Sequence, residues 1–404
     1  MTSAAAERCR AELEGRAPTD PGPFYAWLRE NAPVYRHPQA GACFAARHDD
    51  VAELLRDRRL VAQGPGAMLA TLSDPHEVQR LRPLREFYDN WMVFSSGQSH
   101  ELVRAALRPW FASSVVSPVL PDVGRLAADL TGRAAEFDVL GDLGRPIAEA
   151  VVGSLVGLDD ARLAQLLVWS DAAVGFLTAA DPIAATTDAL DAAEGFRTTA
   201  AAIMERGGTW AAHALRAVGA VDPGAVAGVL AQVVTGTMEP LPQAIANAAF
   251  ALLRSPTQLA SWRSAPSRHG EMVEELVRLG CPFTYAPRTA TEAVEIGGVR
   301  IEAGERVLAL LYSANLDPEA FPDPKTLALD RRTTGVLSFG AGVHYCLGAA
   351  VARSVLQQTL AALFAPTHEV RLAGDAEPVA SLGLHGLHQL PVRLTPAAPT
   401  PSDG

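Results

Sequence analysis

The chain of 404 residues is poor in cysteine, almost devoid of lysine and without any long uninterrupted apolar run. Its Ala-rich stretches are broken by charged residues and proline, so the sequence predicts no membrane-spanning helix, and the N-terminus lacks the apolar segment of a signal peptide. The cysteines form no CxxC pair, which argues against a disulfide framework or a zinc site; they are Cys9, Cys43, Cys281 and Cys346. We therefore expect a soluble, cytoplasmic protein that does not bind membranes.

Positive charge is also scarce, since 34 Lys and Arg stand against 45 Asp and Glu, a formal net charge of −11. Lys325 is the only lysine, so the basic charge is carried by arginine. This balance argues against a nucleic-acid-binding protein. Apolar residues make up 49% and charged residues 20%, which is ordinary for a globular chain and excludes a disordered or collagen-like one.

Ala, Leu and Val recur at helical spacing from about residue 100 to 260, whereas β-like runs are short. The runs 293–300 and 307–309 are predicted to form a hairpin, with the connection IEAGE between them. Residues 62–95 show no clear periodicity and are predicted to be a long irregular excursion, which is typical of lids and binding loops.

No internal repeat or linker divides the sequence. We expect one large domain over residues 20–395, mainly α-helical with a minor β-sheet region. A flexible segment, residues 1–19, precedes it, and the tail 396–404 is rich in Pro, Ser and Gly and is predicted to be disordered.

The most informative segment is residues 337–348, LSFGAGVHYCLG, here called the cysteine loop. Its glycines permit positive φ and the close approach of a flat partner. Cys346 lies where a helix is predicted to begin, so free N–H groups and the helix dipole can stabilise a thiolate. A cysteine thiolate is an axial ligand of haem iron that favours O–O bond cleavage.

The pattern FGxGxHxCxG followed by a helix resembles the haem-binding loop of cytochromes P450. The resemblance extends over roughly residues 20–395 and implies the P450 fold, haem b as cofactor and Cys346 as the metal ligand. It also implies a set of haem-binding residues: His100, Arg104, Arg288, Phe339, Gly340, His344, Cys346 and Gly348. Within this set His100 and Arg104 form an HxxxR element, one helical turn apart.

The segment EELVR is similar to the ExxR element of the same family. Glu275 and Arg278 are spaced for an ion pair on one helical face, and the resemblance implies that this pair is buried and structural. Its further partner is expected in the Pro- and Asp-rich meander, where Asp330 and Arg331 take the family's place.

Residues 222–253 are predicted to form a long helix that carries the oxygen-activation motif of the family. Gly236 and Glu239 match the motif, but Pro240 stands where the family has a threonine. In the family that hydroxyl helps to deliver protons, and proline supplies neither a hydroxyl nor an N–H. Pro240 and Pro242 each cost on the order of 3 kcal/mol inside an ordinary helix, so the fold must accommodate a distortion there.

Three functions remain open from the sequence. Substrate hydroxyls or waters can replace the threonine, which leaves ordinary hydroxylation or epoxidation of a specialised metabolite in natural-product biosynthesis. Alternatively, the enzyme removes hydrogens for oxidative coupling, cyclisation or desaturation without oxygen insertion. The third possibility is peroxide use or a non-catalytic haem-binding partner protein.

The resemblance also implies a substrate pocket lined by Trp91, Phe94, Trp169, Phe176, Met238, Phe283, Thr284 and Leu387. The chain has no GxGxxG motif and no iron–sulfur cysteine cluster, so electrons from NAD(P)H are expected to arrive through a separate ferredoxin and ferredoxin reductase. Arg104, Arg108 and Arg353 are candidates for a local basic docking face. We expect a monomer that binds a small-molecule substrate.

Overall fold

The computed structural model describes residues 20–37, 40–65, 74–178 and 184–397. The predicted flexible segment 1–19 and residues 398–404 of the predicted tail lie outside these ranges. Helices and small sheets form a single, mainly α-helical domain, as the sequence predicted. None of the helices in the described ranges is long and apolar enough to cross a bilayer.

The helices are named here in chain order. They are α1 (Gly22–Asn31), α2 (His48–Leu54), α3 (Pro75–Asp89), α4 (Gly97–Leu107), α5 (Ser113–Val116), α6 (Val123–Thr131), α7 (Arg145–Val156), α8 (Asp160–Thr178), α9 (Thr186–Arg206), α10 (Trp210–Gly219), α11 (Ala225–Met238), α12 (Pro240–Leu253), α13 (Pro256–Ser264), α14 (His269–Leu279), α15 (Leu311–Asn315) and α16 (Ala349–Leu363). A π-helical turn, Val139–Gly144, leads into α7, and short 3₁₀ turns lie at Arg108–Phe111, Pro266–Arg268 and Gly342–His344.

The strands are short and belong to small sheets. They are β1 (Val34–His37), β2 (Ala42–Ala45), β3 (Leu60–Val61), β4 (Glu136–Asp138), β5 (Ala286–Ala290), β6 (Val294–Ile296), β7 (Val299–Ile301), β8 (Arg306–Ala309), β9 (His368–Leu372), β10 (Glu377–Pro378), β11 (Leu387–Gln389) and β12 (Pro391–Pro396). The largest sheet has the order β1-β2-β8-β5-β3, in which β2 and β8 are parallel. β12 pairs with both β4 and β9 and extends through Pro396, one residue into the predicted tail.

One large apolar core lies among the helices, and two smaller cores cover the faces of the five-stranded sheet. Side chains alternate between the two sheet faces because successive residues of a strand point in opposite directions. Thus Cys43 and Val307 join the core on one face, whereas Phe44 and Leu308 join the core on the other. The sheet is thereby fixed, and its strand β5 carries Arg288.

The predicted irregular excursion 62–95 is wrong over residues 75–89, which form α3, and residues 66–73 of it lie outside the described ranges. The Asp74 carboxylate accepts a hydrogen bond from the N–H of His76, and Pro75 takes the first turn of the helix. Both are ordinary helix-start signals. Pro83 within the helix hides the pattern, although Leu81 and Leu84 keep helical spacing and are buried.

The predicted hairpin is also wrong in its pairing. β6 pairs with β7 across Gly297 and Gly298, which both have positive φ, as two-residue hairpin turns require. β8 pairs instead with β2 and β5. Its residues Val307 and Ala309 are fully buried there, so burial in the larger sheet outweighs the local connection.

Candidate functional site

The cysteine loop is held in shape by its own backbone and by two neighbouring helices. The N–H of Cys346 donates to the carbonyl of Phe339 at 2.9 Å, which closes the loop. Gly340 and Gly342 have φ of 69° and 66°, and a Cβ on Gly342 would lie 2.4 Å from the Leu55 carbonyl oxygen. Because only glycine tolerates both conditions, the loop geometry requires it.

The thiol of Cys346 lies three residues before the first residue of α16, close to the predicted helix start. The side chain is exposed, yet enough protein surrounds it that burial raises the pKa of the thiol. A concave surface reconciles the two observations. The N–H groups of Gly348 and Ala349 and the charges of Arg104 and Arg353 act against burial and lower this pKa, so they favour a thiolate.

The side chains of His100, Arg104, Arg288 and His344 form a group that we call the cationic cluster. The rings of His100 and His344 lie 4.2 Å apart. Burial, reinforced by Arg288 and His100, lowers the pKa of His344 to about 3, and burial lowers the pKa of Arg288 to about 10. The positively charged forms of His344 and Arg288 are therefore disfavoured in the fold.

The cationic cluster has no acid of its own. None of its members forms an ion pair with a carboxylate of the described residues, and Glu101, next to His100, lies 3.6 Å from Arg58 instead. Arg288 donates to the carbonyl of the preceding Pro287, and His100 Nε2 is buried without a hydrogen-bond partner. A buried polar atom without a hydrogen-bond partner costs about 1–3 kcal/mol.

These features fit haem. Its two propionates are anions that the cationic cluster can neutralise, and the unpartnered Nε2 of His100 can hydrogen-bond one of them. The concave, exposed thiol of Cys346 is the donor that haem iron accepts. The Phe339 ring belongs to the cysteine loop, and the Arg353 guanidinium lies 4.5 Å from its centroid. This contact fixes the position of the ring.

Glu275, Arg278 and Arg331 form a second group, the ion-pair cluster. Arg278 Nε lies 2.7 Å from the Glu275 carboxylate, and both side chains have no exposed surface. Arg331 Nε donates to the same carboxylate at 3.0 Å. Arg278 also donates to the carbonyl of Asn315 at 2.7 Å, and the Asn315 side chain accepts from the N–H of Leu337, so this cluster is connected to the cysteine loop.

The predicted long helix at residues 222–253 is two helices. α11 begins only at Ala225, and the Asp222 carboxylate before it accepts a hydrogen bond from the N–H of Gly224. This helix ends at Met238, and α12 begins at Pro240. Glu239 between them keeps helical dihedrals, φ −79° and ψ −57°.

The prolines consequently lie in the first turn of α12, where an N–H has no intrahelical acceptor to lose. The large penalty of an interior proline is avoided in this way. The π-helical turn accommodates the break, because a Cβ on Gly144 would lie 3.1 Å from Cα of Pro242. Gly144 is a residue that the sequence analysis missed, and no local signal reveals it.

Hydroxyl groups near the break are already engaged. Thr235 and Thr237 each donate to the carbonyl one turn earlier, at Ala231 and Val233, at 2.9 and 2.8 Å. Gly236 is exposed and has open space where a side chain would stand. The space beside Gly236, here called the groove, is therefore open, and neither Thr235 nor Thr237 offers a free hydroxyl to it.

Glu239 is half-buried at the break. Burial raises the pKa of its carboxyl, the charge of Asp171 raises it further, and the charge of Arg145 lowers it. Arg145 lies 3.5 Å from Asp171 and 3.7 Å from Glu149 at the protein surface. The protonated form of the Glu239 carboxyl is thus favoured relative to an exposed carboxyl, and the charges that act on it belong to solvent-exposed side chains.

The predicted pocket residues fall into two groups. The aromatic group consists of Trp91, stacked on Phe94 at 5.8 Å, and Phe176, stacked on Tyr88 at 5.2 Å. Tyr88 and Trp91 lie 5.3 Å apart and join the pairs. Trp91 and Phe176 are buried among the side chains of the helical core.

Trp169 packs against Gly195 of α9 rather than on these rings. Met238 is buried at the end of α11.

The second group lies near β5 and β11. Phe283 is 44% exposed and forms an isolated bridge with Leu384. Thr284 is buried and its hydroxyl donates to the carbonyl of Leu382. Leu387 is buried against α12, where Gln243 holds its backbone. Sequence reasoning missed Gln243, whose partner is 144 residues away in the chain.

Comparisons with known proteins identify relatives of this chain. The family model for Cytochrome P450 matches residues 270–378, which include the ion-pair cluster and the cysteine loop. Cytochrome p450 CYP199A2 from Rhodopseudomonas palustris is 30% identical over 393 residues, covering 94% of this chain and 92% of that protein. The 6-deoxyerythronolide B hydroxylase of Saccharopolyspora erythraea is 30% identical over 399 residues, covering 92% of this chain and 95% of that protein.

The crystal structure of CalO2 superimposes on this chain with a TM-score of 0.83 at 24% identity, covering 98% of this chain and 99% of that one. This likeness shows the same fold. The relatives that are 30% identical match nearly the whole length of both proteins, and a thiol and a cationic cluster suited to haem lie in that shared fold. The chain belongs to the cytochrome P450 family.

Proposed function

We propose that this P450 hydroxylates or epoxidises a small specialised metabolite in natural-product biosynthesis. The observation that carries the proposal is the exposed thiol of Cys346, which feels the charge of Arg104 and shares its loop with His344, two of the four basic groups of the cationic cluster that have no carboxylate partner. The similarity to a hydroxylase of 6-deoxyerythronolide B supports the class of reaction.

The chain is a monooxygenase-type oxidoreductase with haem b, supplied with electrons from NAD(P)H through separate redox partners. A thiolate-bound haem supplies O–O bond cleavage. In the proposed site Cys346 is the iron ligand, and its loop N–H groups hold the sulfur as a thiolate. His100, Arg104, Arg288 and His344 bind the propionates and fix the orientation of the ring.

Hydroxylation inserts one oxygen atom of O₂ into a C–H bond and releases the other as water, with two electrons and two protons consumed. Glu239 is the proton carrier in this proposal, since burial raises the pKa of its carboxyl and so favours the protonated form. Pro240 offers no hydroxyl, and Thr235 and Thr237 are engaged in their own helix. A substrate hydroxyl or water in the groove beside Gly236 completes the path.

A second function is favoured by Pro240 itself. Oxidative coupling, cyclisation or desaturation removes two hydrogens from the substrate without oxygen insertion. Both atoms of O₂ then leave as water, one with the two substrate hydrogens and the other with two protons, while two electrons are consumed, so proton delivery is needed differently. The groove without a free threonine hydroxyl is equally compatible with that chemistry.

For the electron donor we propose a ferredoxin that docks beside the cysteine loop. Arg104 and Arg353 lie there, but Arg353 is paired with Glu274 and Arg104 donates to the Tyr345 carbonyl. Arg108 is exposed and forms no ion pair with a described residue. Arg108 therefore supplies the most available charge for an acidic partner.

Two measurements test this function. The reduced-CO spectrum should show the red-shifted Soret band of thiolate ligation, and Cys346→Ser should abolish it while Cys43→Ala, a buried cysteine of β2, retains it. Mass spectrometry of the producing strain with and without the gene then identifies the reaction. A precursor that lacks one oxygen supports hydroxylation, one with two additional hydrogens supports coupling or desaturation, and an unchanged profile favours a non-catalytic haem protein.

A further inference from the structure

The amide side chain of Gln243 forms a two-point contact with the backbone of a distant segment. Its Nε2 donates to the carbonyl of Leu387 at 3.1 Å, and its Oε1 accepts from the N–H of Leu387 at 2.9 Å. A side chain that satisfies both backbone groups of one residue fixes its position and orientation, as a strand partner does.

The residue before Leu387 is adapted to this contact. A Cβ on Gly386 would lie 2.2 Å from Oε1 and 2.6 Å from Cδ of Gln243, so only glycine permits the approach. One turn further along α12, Asn247 donates to the carbonyls of His385 at 2.9 Å and Gly280 at 3.2 Å. Two amides of one helix therefore bind successive parts of residues 382–387, which we call the clamped segment.

The opposite side of the clamped segment is bound to the chain that leads into β5. The N–H of His385 donates to the carbonyl of Pro282 at 2.7 Å, and the N–H of Thr284 donates to the carbonyl of Gly383 at 3.2 Å. Four residues after Thr284 lies Arg288 of the cationic cluster. The clamped segment thus bridges α12 and the strand that carries a proposed haem contact.

The helix face that forms the clamp is continuous with the groove. Gly236, Pro240, Gln243 and Asn247 follow one another at intervals of four, three and four residues, which places them along one helical face. The open space beside Gly236 and the clamped segment consequently belong to the same side of α11 and α12. Phe283 and Leu384, whose bridge lies at this edge, are only partly buried.

We propose that Gln243 is a positioning residue for substrate, because it holds in place the clamped segment, which ends at the predicted pocket residue Leu387. This inference rests on the proposed haem-thiolate site and adds a residue to it that touches neither haem nor iron. Without the Gln243 amide, the clamped segment is less ordered before a bulky ligand binds. Binding must then order it, and the entropy lost in this ordering lowers the affinity for the ligand. A small ligand that does not reach the segment is unaffected.

The test uses the haem-loaded full chain and three variants. Gln243→Leu removes both hydrogen bonds, and Gln243→Glu keeps the acceptor for the Leu387 N–H but loses the donor. Gln258→Leu is the matched control, since Gln258 Oε1 accepts from the N–H of Leu329 at 3.0 Å at another place in the fold. The reduced-CO spectrum verifies that each variant has folded.

Two readouts follow the clamp and its consequence. Hydrogen–deuterium exchange in the peptide containing Leu387 should accelerate at least tenfold in Gln243→Leu, less in Gln243→Glu, and not in the control. Soret titrations with imidazole, a small probe, and clotrimazole, a bulky one, should show at least tenfold weaker clotrimazole binding in Gln243→Leu with unchanged imidazole binding.

The outcomes are distinguishable. Unchanged exchange overturns the clamp, and accelerated exchange with unchanged clotrimazole affinity overturns the positioning role. Equal weakening of both probes also overturns it, because it indicates a general defect of the site. If the wild-type protein shows no nitrogen-ligation shift with either azole, the proposed haem-thiolate site is itself wrong, and this inference fails with it.

Discussion

The ion-pair cluster and the cationic cluster both connect to the cysteine loop, yet they differ in how their charge is balanced. In the first, the Glu275 carboxylate accepts from Arg278 and Arg331 and lies fully inside the protein. In the second, Arg288 is equally buried but has no carboxylate partner. The difference separates a group that holds the fold together from one that is complete only with an anionic ligand.

Breaking the ion-pair cluster should have the largest effect. Glu275→Gln leaves Arg278 buried and uncompensated, which costs about 3–5 kcal/mol. We expect the midpoint of urea unfolding of the haem-loaded protein to fall accordingly. Glu271→Gln on the same helix is the control, because its pair with Arg268 is exposed and contributes about 0–1 kcal/mol. Equal losses in both variants would contradict the structural role.

Removing a charge from the cationic cluster should not destabilise the haem-free protein, in contrast to the loss of the Glu275 charge. Arg288→Leu relieves repulsion and desolvation, so we expect unfolding of the haem-free chain to need no less urea than in the wild type. Haem transfer to apomyoglobin should become at least tenfold faster, about 1.4 kcal/mol. Arg306→Leu on the neighbouring strand, an exposed arginine, should change neither quantity. Strong destabilisation by Arg288→Leu would remove the distinction between the clusters.

A smaller, pH-dependent effect should distinguish the clusters further. Burial and then Arg104 lower the pKa of His100 in the fold, so the unfolded chain binds more protons at its ordinary value near 6.5. The stability of the haem-free protein should therefore decrease as pH falls below about 6.5. His100→Gln should flatten that slope in thermal unfolding between pH 7.5 and 5. A slope that is unchanged in the variant would assign the acid sensitivity elsewhere.

The cysteine loop was predictable because its requirements are local. Gly340 and Gly342 provide positive φ within a few residues of Cys346, so the pattern is visible in a short stretch of sequence. The fold class followed from this pattern and from helical spacing, and it was confirmed. The GG pair at Gly297 and Gly298 was an equally local turn signal, and using it would have corrected the hairpin.

Other features depend on partners far away in the chain. β8 joins β2, more than 250 residues earlier, because Val307 gains burial there, and no spacing rule near residue 307 shows it. The prolines of α12 indicated a distortion, but not that a new helix begins at Pro240. Gln243 gave no signal at all, since its role exists only through the backbone of Leu387.

The contact between Gly144 and Pro242 has a consequence for how such a chain can change over time. With a Cβ on residue 144 only 3.1 Å from the backbone of residue 242, the two positions are coupled, and the effects of substitutions there are not additive. A larger residue at 144 is tolerated only after the chain at 242 has moved away. The order of mutations, rather than their sum, then decides which variants of this helix a lineage can reach.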